Sequence, residues 1–353
     1  MKNFSKFYLM GILCAVILVS MLGLSRFMRA RQFTPGFQKG MCYVTWAPAS
    51  YRTGKSDKSL RKLKGINVEN ISLLVTWYQD NCFATRIFKG PKTPTDGSVR
   101  HAIETAHSLG IKVMIKPHLD LINTEQGGWR GEIACIREPD WQKWFESYKK
   151  FILHYAKIAE ETKTEMLCIG TELTAATAGH DKNWRDIIKA VRKVYSGDLT
   201  YAANWSDEYL QIRFWDSLDY AGIDAYFPLS DESSPTYEEL IRGWRQWLPE
   251  IENWQKTINK PVIFPEIGYK SSTAAAKEPW EHTPGENLDL ELQVRCYRAL
   301  VATFWEKPWF YGAYWWDWGT STRMGGTANR GFTPQNKPAQ DYIRELYSGK
   351  VKR

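Results

Sequence analysis

Spacings that would ligate a metal are missing from this sequence. Its six cysteines include no C-x-x-C pair, and its six histidines (101, 107, 118, 154, 180 and 282) form no paired helical motif, so neither a zinc site nor any other cofactor is expected. Internal repeats, low-complexity tracts and any break that would mark a second domain are absent as well. The first 40 positions contain no acidic residue, only Lys2, Lys6, Arg26, Arg29, Arg31 and Lys39, which supply +6 of the formal net charge of +8. What remains is almost neutral. That distribution argues against a groove for nucleic acid and for a basic flank beside a membrane.

Between those basic residues, Phe7 to Leu24 runs for about 18 residues without a charge, long enough for an export signal or an anchor. No small-x-small cleavage pattern follows it, and Leu13 before Cys14 is a poor match to a lipoprotein site. The expectation is a signal anchor or signal peptide over residues 1–24, a basic tether over 25–39, and one exported domain over 40–349. That domain would be held on the extracytoplasmic side of a membrane, or secreted if the signal is cleaved. The sequence is silent on oligomeric state.

From Gly40 onward, short apolar runs alternate with amphipathic segments of helical period. Eight strands are expected, at about 41–46, 71–77, 112–118, 166–172, 200–205, 220–226, 262–266 and 311–316. Pro139 suits the first turn of a helix that carries Trp141, Trp144, Phe145, Tyr148, Phe151, Ile152, Tyr155 and Ile158 on one face. A second helix runs through Tyr237, Leu240, Ile241, Trp244 and Trp247, and Pro249 is expected to kink or split it. Eight such units predict an α/β fold, a single (β/α)8 TIM barrel, with its site at the carboxyl ends of the strands.

Those ends are polar and aromatic: Trp46, Trp77, Lys116 and His118, Glu172, Asn204, Asp224 and Tyr226, Glu266, Trp316 and Asp317. Glu172 closes the apolar run Met166–Ile169 just past Gly170, and Glu266 closes Val262–Phe264 just before a glycine turn. Two carboxylates at the mouth of one barrel suit cleavage of a glycosidic bond, which needs one acid for the leaving oxygen and one carboxylate for the developing cationic sugar. Glu172 alone would read as a salt-bridged strand end. Lys116 and His118 read equally as substrate contacts or as partners of an Asp such as Asp224. Trp46 and Trp77 read as sugar-stacking rings or as packing at the mouth, and Asp317 as structural.

With GTEL at 170–173, PEIGY at 265–269 and YWWDW at 314–318, the chain resembles clan A of the retaining glycoside hydrolases, and within it glycoside hydrolase family 113, the β-mannanases. The resemblance covers residues 40–345. It implies a retaining, endo-acting hydrolase of β-1,4-mannan-type polysaccharide, with Glu172 as acid/base, Glu266 as nucleophile, Tyr226 hydrogen-bonding the nucleophile and Trp316 flooring the sugar beside the cleaved bond. Many clan members carry Asn before the acid/base; here that position is Thr171, and Asn204 is a candidate substitute. Competing readings are another β-glycosidase specificity, such as a β-glucanase or an exo-β-mannosidase, and a barrel that binds carbohydrate without cleaving it.

Cys42, Cys168 and Cys296 fall in strands or a helical stripe and read as buried thiols. Cys82 and Cys135 fall in loops after neighbouring strands, where export would favour a disulfide between them.

Overall fold

A computed structural model describes residues 36–123 and 128–350. Eight strands, β1 (Gln38–Val44), β2 (Asn70–Gln79), β3 (Lys112–Leu121), β4 (Met166–Thr171), β5 (Asp198–Asn204), β6 (Ala221–Asp224), β7 (Val262–Ile267) and β8 (Phe310–Gly319), form a closed barrel in sequence order. All eight pairings are parallel, including the closing one between β8 and β1. The barrel expected from the alternation of runs is therefore present.

Six longer helices cover it: α1 (Gly54–Gly65), α2 (Asp96–Ser108), α3 (Glu138–Glu161), α5 (Asp181–Arg192), α7 (Tyr237–Ile258) and α8 (Leu290–Phe304). Two single turns, α4 (Thr174–Thr177) and α6 (Glu208–Gln211), follow β4 and β5, and α9 (Pro338–Tyr347) ends the described chain. In α3, Pro139 occupies the first turn and the aromatic stripe from Trp144 to Tyr155 is buried, each ring contributing roughly 2–3 kcal/mol by leaving water. A capping box of Thr236 and Glu239 starts α7, and Asn259 in the left-handed region ends it. This helix passes through Pro249 without a break, so the expected split does not occur.

Strand parity divides the core in two. Inside the barrel lie Cys42, Leu74, Met114, Cys168, Ala202, Ile263 and Tyr314, while Tyr43, Leu73, Val113, Leu167, Ile223 and Phe264 face the helices.

Two expectations need correction. Gln38 and Lys39 belong to β1 and not to a tether; their polar side chains hid the start of the strand. Phe37 is also buried, with its ring 5.1 Å from that of Trp305. Cys82 and Cys135 are free thiols. Their loops do meet, since Ala134 N donates to Cys82 O at 3.1 Å, but Cys82 Sγ is directed to Trp129 O at 4.0 Å. The apolar run Phe7–Leu24 lies outside the described residues, and among those described no helix is long and apolar enough to cross a membrane.

Candidate active site

A cavity of about 1140 Å³ opens at the carboxyl ends of the strands. Glu172 and Glu266 both line it, with Trp46, His118, Asn204, Tyr226 and Trp316. Seven of the nine site residues named from sequence thus converge. Trp316 stands edge-on to Trp46 with ring centres 6.4 Å apart, and its plane is within 4° of the His118 ring.

Trp77 is elsewhere. Leu74 and Tyr78 share the inward parity of β2, so Trp77 points out and packs against Phe151 and Tyr155 of α3, donating from Nε1 to the Tyr155 hydroxyl at 3.0 Å. Its place at the mouth is taken by Tyr78. Lys116 faces inward but has no exposed surface, and so it meets carboxylates rather than substrate. Its ammonium lies 2.9 Å from Asp224 Oδ2 and bonds Glu266 Oε1.

Glu266 is built to stay ionised. Tyr226 donates to its Oε2 at 3.0 Å, and His118 Nε2 lies 3.1 Å from its Oε1. Burial pushes this carboxyl up, yet Lys116 and His118 outweigh burial and hold it well below the ordinary carboxylate range. One ammonium faces two carboxylates, and the loser is Asp224: its Oδ1 has no hydrogen-bond partner, and burial drives its pKa well up despite Lys116. Burial and Arg130 lower His118 to about 4, leaving a neutral ring at neutral pH.

Glu172 is set differently. Burial raises its pKa, Arg130 opposes that, and the negative charge of Glu266 adds to the rise, for a net upward shift. Asn204 Nδ2 donates to Oε1 at 2.9 Å and Arg130 Nη1 to Oε2 at 3.1 Å, so both oxygens are aimed. The backbone of Glu172 is left-handed, with φ of 51°, a conformation costing a side-chain-bearing residue about 1–2 kcal/mol. It turns the chain sharply out of β4. Thr171, where many clan members have Asn, is buried and donates to Pro117 O at 3.3 Å.

Sequence reasoning missed Arg130 and Asp120, which pair at 2.5 Å on the wall of the cavity. Arg130 belongs to a 3-10 turn (Arg130–Glu132) in the loop after β3, beyond the reach of a rule that reads strand ends. Also missed were Trp280, stacked on Trp205 with ring centres 4.9 Å apart, and Phe332. Asp317 lines the cavity too, and burial raises it to about 6. Among the described residues no cluster of His, Cys, Asp or Glu is arranged to hold a metal ion.

The model of Glycoside Hydrolase Family 113 matches residues 42–337. A GH113 β-mannanase from Alicyclobacillus acidocaldarius, solved in complex with ManMIm, is similar at 30% identity with a TM-score of 0.80, over 90% of this chain and 98% of that one. A structure described as a complex of a GH113 β-1,4-mannanase is similar at 28% identity and a TM-score of 0.79, over 88% and 99% of the two chains. The β-glucuronidase of Ruminococcus gnavus, at 11% identity and a TM-score of 0.57, covers 88% of this chain and 50% of its own, a likeness of fold alone. No curated protein sequence matches.

Proposed function

The chain belongs to glycoside hydrolase family 113 and is a glycoside hydrolase, and from that premise we propose that it cleaves β-1,4-mannan-type polysaccharide internally, with retention. Glu266 is the nucleophile and Glu172 the acid/base. The observation that carries this assignment is the unequal setting of the two carboxyls, one held ionised by Lys116 and His118 and the other raised by burial and by its neighbour.

In the first step Glu266 attacks the anomeric carbon while Glu172 gives its proton to the leaving oxygen; in the second, Glu172 takes a proton from the water that releases the sugar. Asn204 and Arg130 orient Glu172 for both transfers. Trp316 and Trp46 offer flat apolar faces to the sugar beside the cleaved bond, and the Trp205–Trp280 stack offers another. Mannan is favoured because solved structures similar to this chain are described as GH113 β-mannanases. Export, inferred from Phe7–Leu24 and its basic flanks, suits a polymer too large to cross a membrane.

Glu266→Ala should abolish turnover on every substrate. Glu172→Ala should spare aryl glycosides whose leaving group needs no proton, and azide should then speed release and yield the β-glycosyl azide. A β-glycosyl azide from the Glu266 variant, or an α-glycosyl azide from the Glu172 variant, would reverse the two roles, and full activity in both variants would refute the hydrolytic reading of the pair. Equal rates on mannan and β-glucan would refute the substrate.

A further inference from the structure

Glu208 is a buried carboxylate that the proposed mechanism leaves unused. It has no exposed surface and opens α6, the single turn after β5. No lysine or arginine is among its hydrogen-bond partners in the described residues. Three donors surround it instead: the Tyr201 hydroxyl at 2.6 Å and Thr177 Oγ1 at 3.2 Å on Oε1, and the Asn204 backbone N–H at 2.6 Å on Oε2. An unpaired carboxylate in such a place is costly, and burial raises it to about 7.

What it holds lies on both sides of Glu172. The Tyr201 hydroxyl that donates to Glu208 also accepts from Leu173 N at 2.9 Å, fixing the residue that follows the left-handed Glu172. That hydroxyl's single proton is thereby committed to the carboxylate. The ring of Tyr201 reaches β4 because residue 170 is glycine; a Cβ there would stand 2.5 Å from Tyr201 Cε2. On the other side, Asn204 receives Glu208 on its backbone and extends its own amide to Glu172 Oε1 at 2.9 Å, while its Oδ1 accepts from Ser206 N and Oγ at 2.8 Å each. Leu173, which follows the acid/base, and Asn204, whose side chain aims it, are therefore both tied to one carboxylate, the first through Tyr201 and the second through its backbone N–H.

We propose that Glu208 is a positioning residue for Glu172, holding the Leu173 backbone through Tyr201 and the Asn204 amide through its backbone N–H so that the carboxyl points at the leaving oxygen. This rests on the reading of Glu172 as acid/base. Facing Glu208 are Tyr201, Thr177 and Tyr148 as well as Glu172 itself; facing Glu172 are Arg130, Lys116, Glu266 and Asn204. Glu208 and Glu172 are like charges, so neutralising Glu208 lowers the pKa of Glu172.

Glu208→Gln keeps the shape and removes the charge and one acceptor. Its effect is read on phenyl and dinitrophenyl β-mannosides across the pH range, beside Glu172→Ala. Expected for Glu208→Gln are a loss of about tenfold or more in kcat/KM on the phenyl substrate, little change on the dinitrophenyl one, and an alkaline limb moved to lower pH. Equal losses on both substrates with the limb unmoved would overturn the proposal, leaving a merely structural residue. If Glu172→Ala itself ignores the leaving group, the acid/base assignment fails and this proposal falls with it; if it discriminates and Glu208→Gln does not, only this proposal fails. Should Glu208→Gln not fold, Tyr201→Phe carries the test. It cuts the link to Leu173 and keeps the charge, so the same leaving-group dependence is expected with the limb in place, and a uniform loss overturns the proposal.

Discussion

Lys116→Met isolates what one buried ammonium does for Glu266. The ammonium sits 2.9 Å from Asp224 and in contact with Glu266, with no exposed surface on Lys116 or Asp224. At a separation of about 3 Å and an effective dielectric of about 20, one such pair amounts to roughly 5 kcal/mol. Sharing with Asp224 and water entering the vacated space return part of that, leaving about 2–3 kcal/mol, or about two pKa units. The carboxyl of Glu266 is depressed in the native protein, so losing Lys116 lifts it, and the ionised nucleophile then disappears as pH falls through the raised value. The acid limb of kcat/KM on an aryl β-mannoside should accordingly move up by about one to two pH units. Stability should drop by roughly 3–5 kcal/mol, the usual cost of stripping the counter-charge from a buried pair, lowering Tm by roughly 5–10 °C in a domain of this size. That deficit should be largest above about pH 5, where the unfolded carboxylates are ionised, and should shrink at lower pH as the buried ones take up protons. Asp224→Asn provides the control: Lys116 then serves Glu266 alone, and the acid limb should not rise. A Lys116→Met protein with the wild-type acid limb and an unchanged Tm would refute the claim that this ammonium keeps the nucleophile charged.

Trp77→Ala and Trp280→Ala should separate packing from binding. The first removes a ring wedged against α3 and should cost about 3 kcal/mol of stability with KM unchanged; the second removes an exposed ring of the Trp205 stack and should raise KM on oligosaccharides several-fold with Tm unchanged, as thermal unfolding and steady-state kinetics would read. Arg130→Met removes the cation beside Glu172, whose pKa then rises; the alkaline limb of the pH profile should move up by about one unit, and a downward move would contradict the geometry.

How much of this was legible in the chain depended on whether a residue's role is local. The eight strands announced themselves as apolar runs, and Glu172 and Glu266 stood out because a charge ending such a run is costly. Asn204 and Tyr226 followed from strand position, and both reach the carboxylates. Trp77 was misplaced because it was read from its place at the strand end and not from parity: Ile71, Leu73, Val75 and Trp77 share the apolar face toward the helices, and Asn70, Ser72 and Thr76 mark the other. Lys116 was narrowed to two roles, and only the folded distances chose the carboxylates over the substrate. Gln38 and Lys39 were excluded from β1 by their polarity, although Gln38 is buried and its Oε1 accepts from the Tyr314 hydroxyl at 2.6 Å. Arg130 and Glu208 stand in short single turns after β3 and β5, outside the strand ends, where no pattern of the sequence marks which way a side chain points.

The closure of the barrel bears on how the molecule can be approached. Phe37 leads into β1 against Trp305 and Phe310, and the Tyr347 hydroxyl, near the end of the described chain, donates to Gly40 O at 3.0 Å and Ala313 O at 3.3 Å. Both ends of the described chain are therefore moored around the starts of β1 and β8, on the rim opposite the cavity. A protein grafted to a bead or an electrode close to Phe37 or Tyr347 would turn its open mouth away from the support. A long, stiff polymer could then slide across that mouth without meeting the surface that carries the molecule.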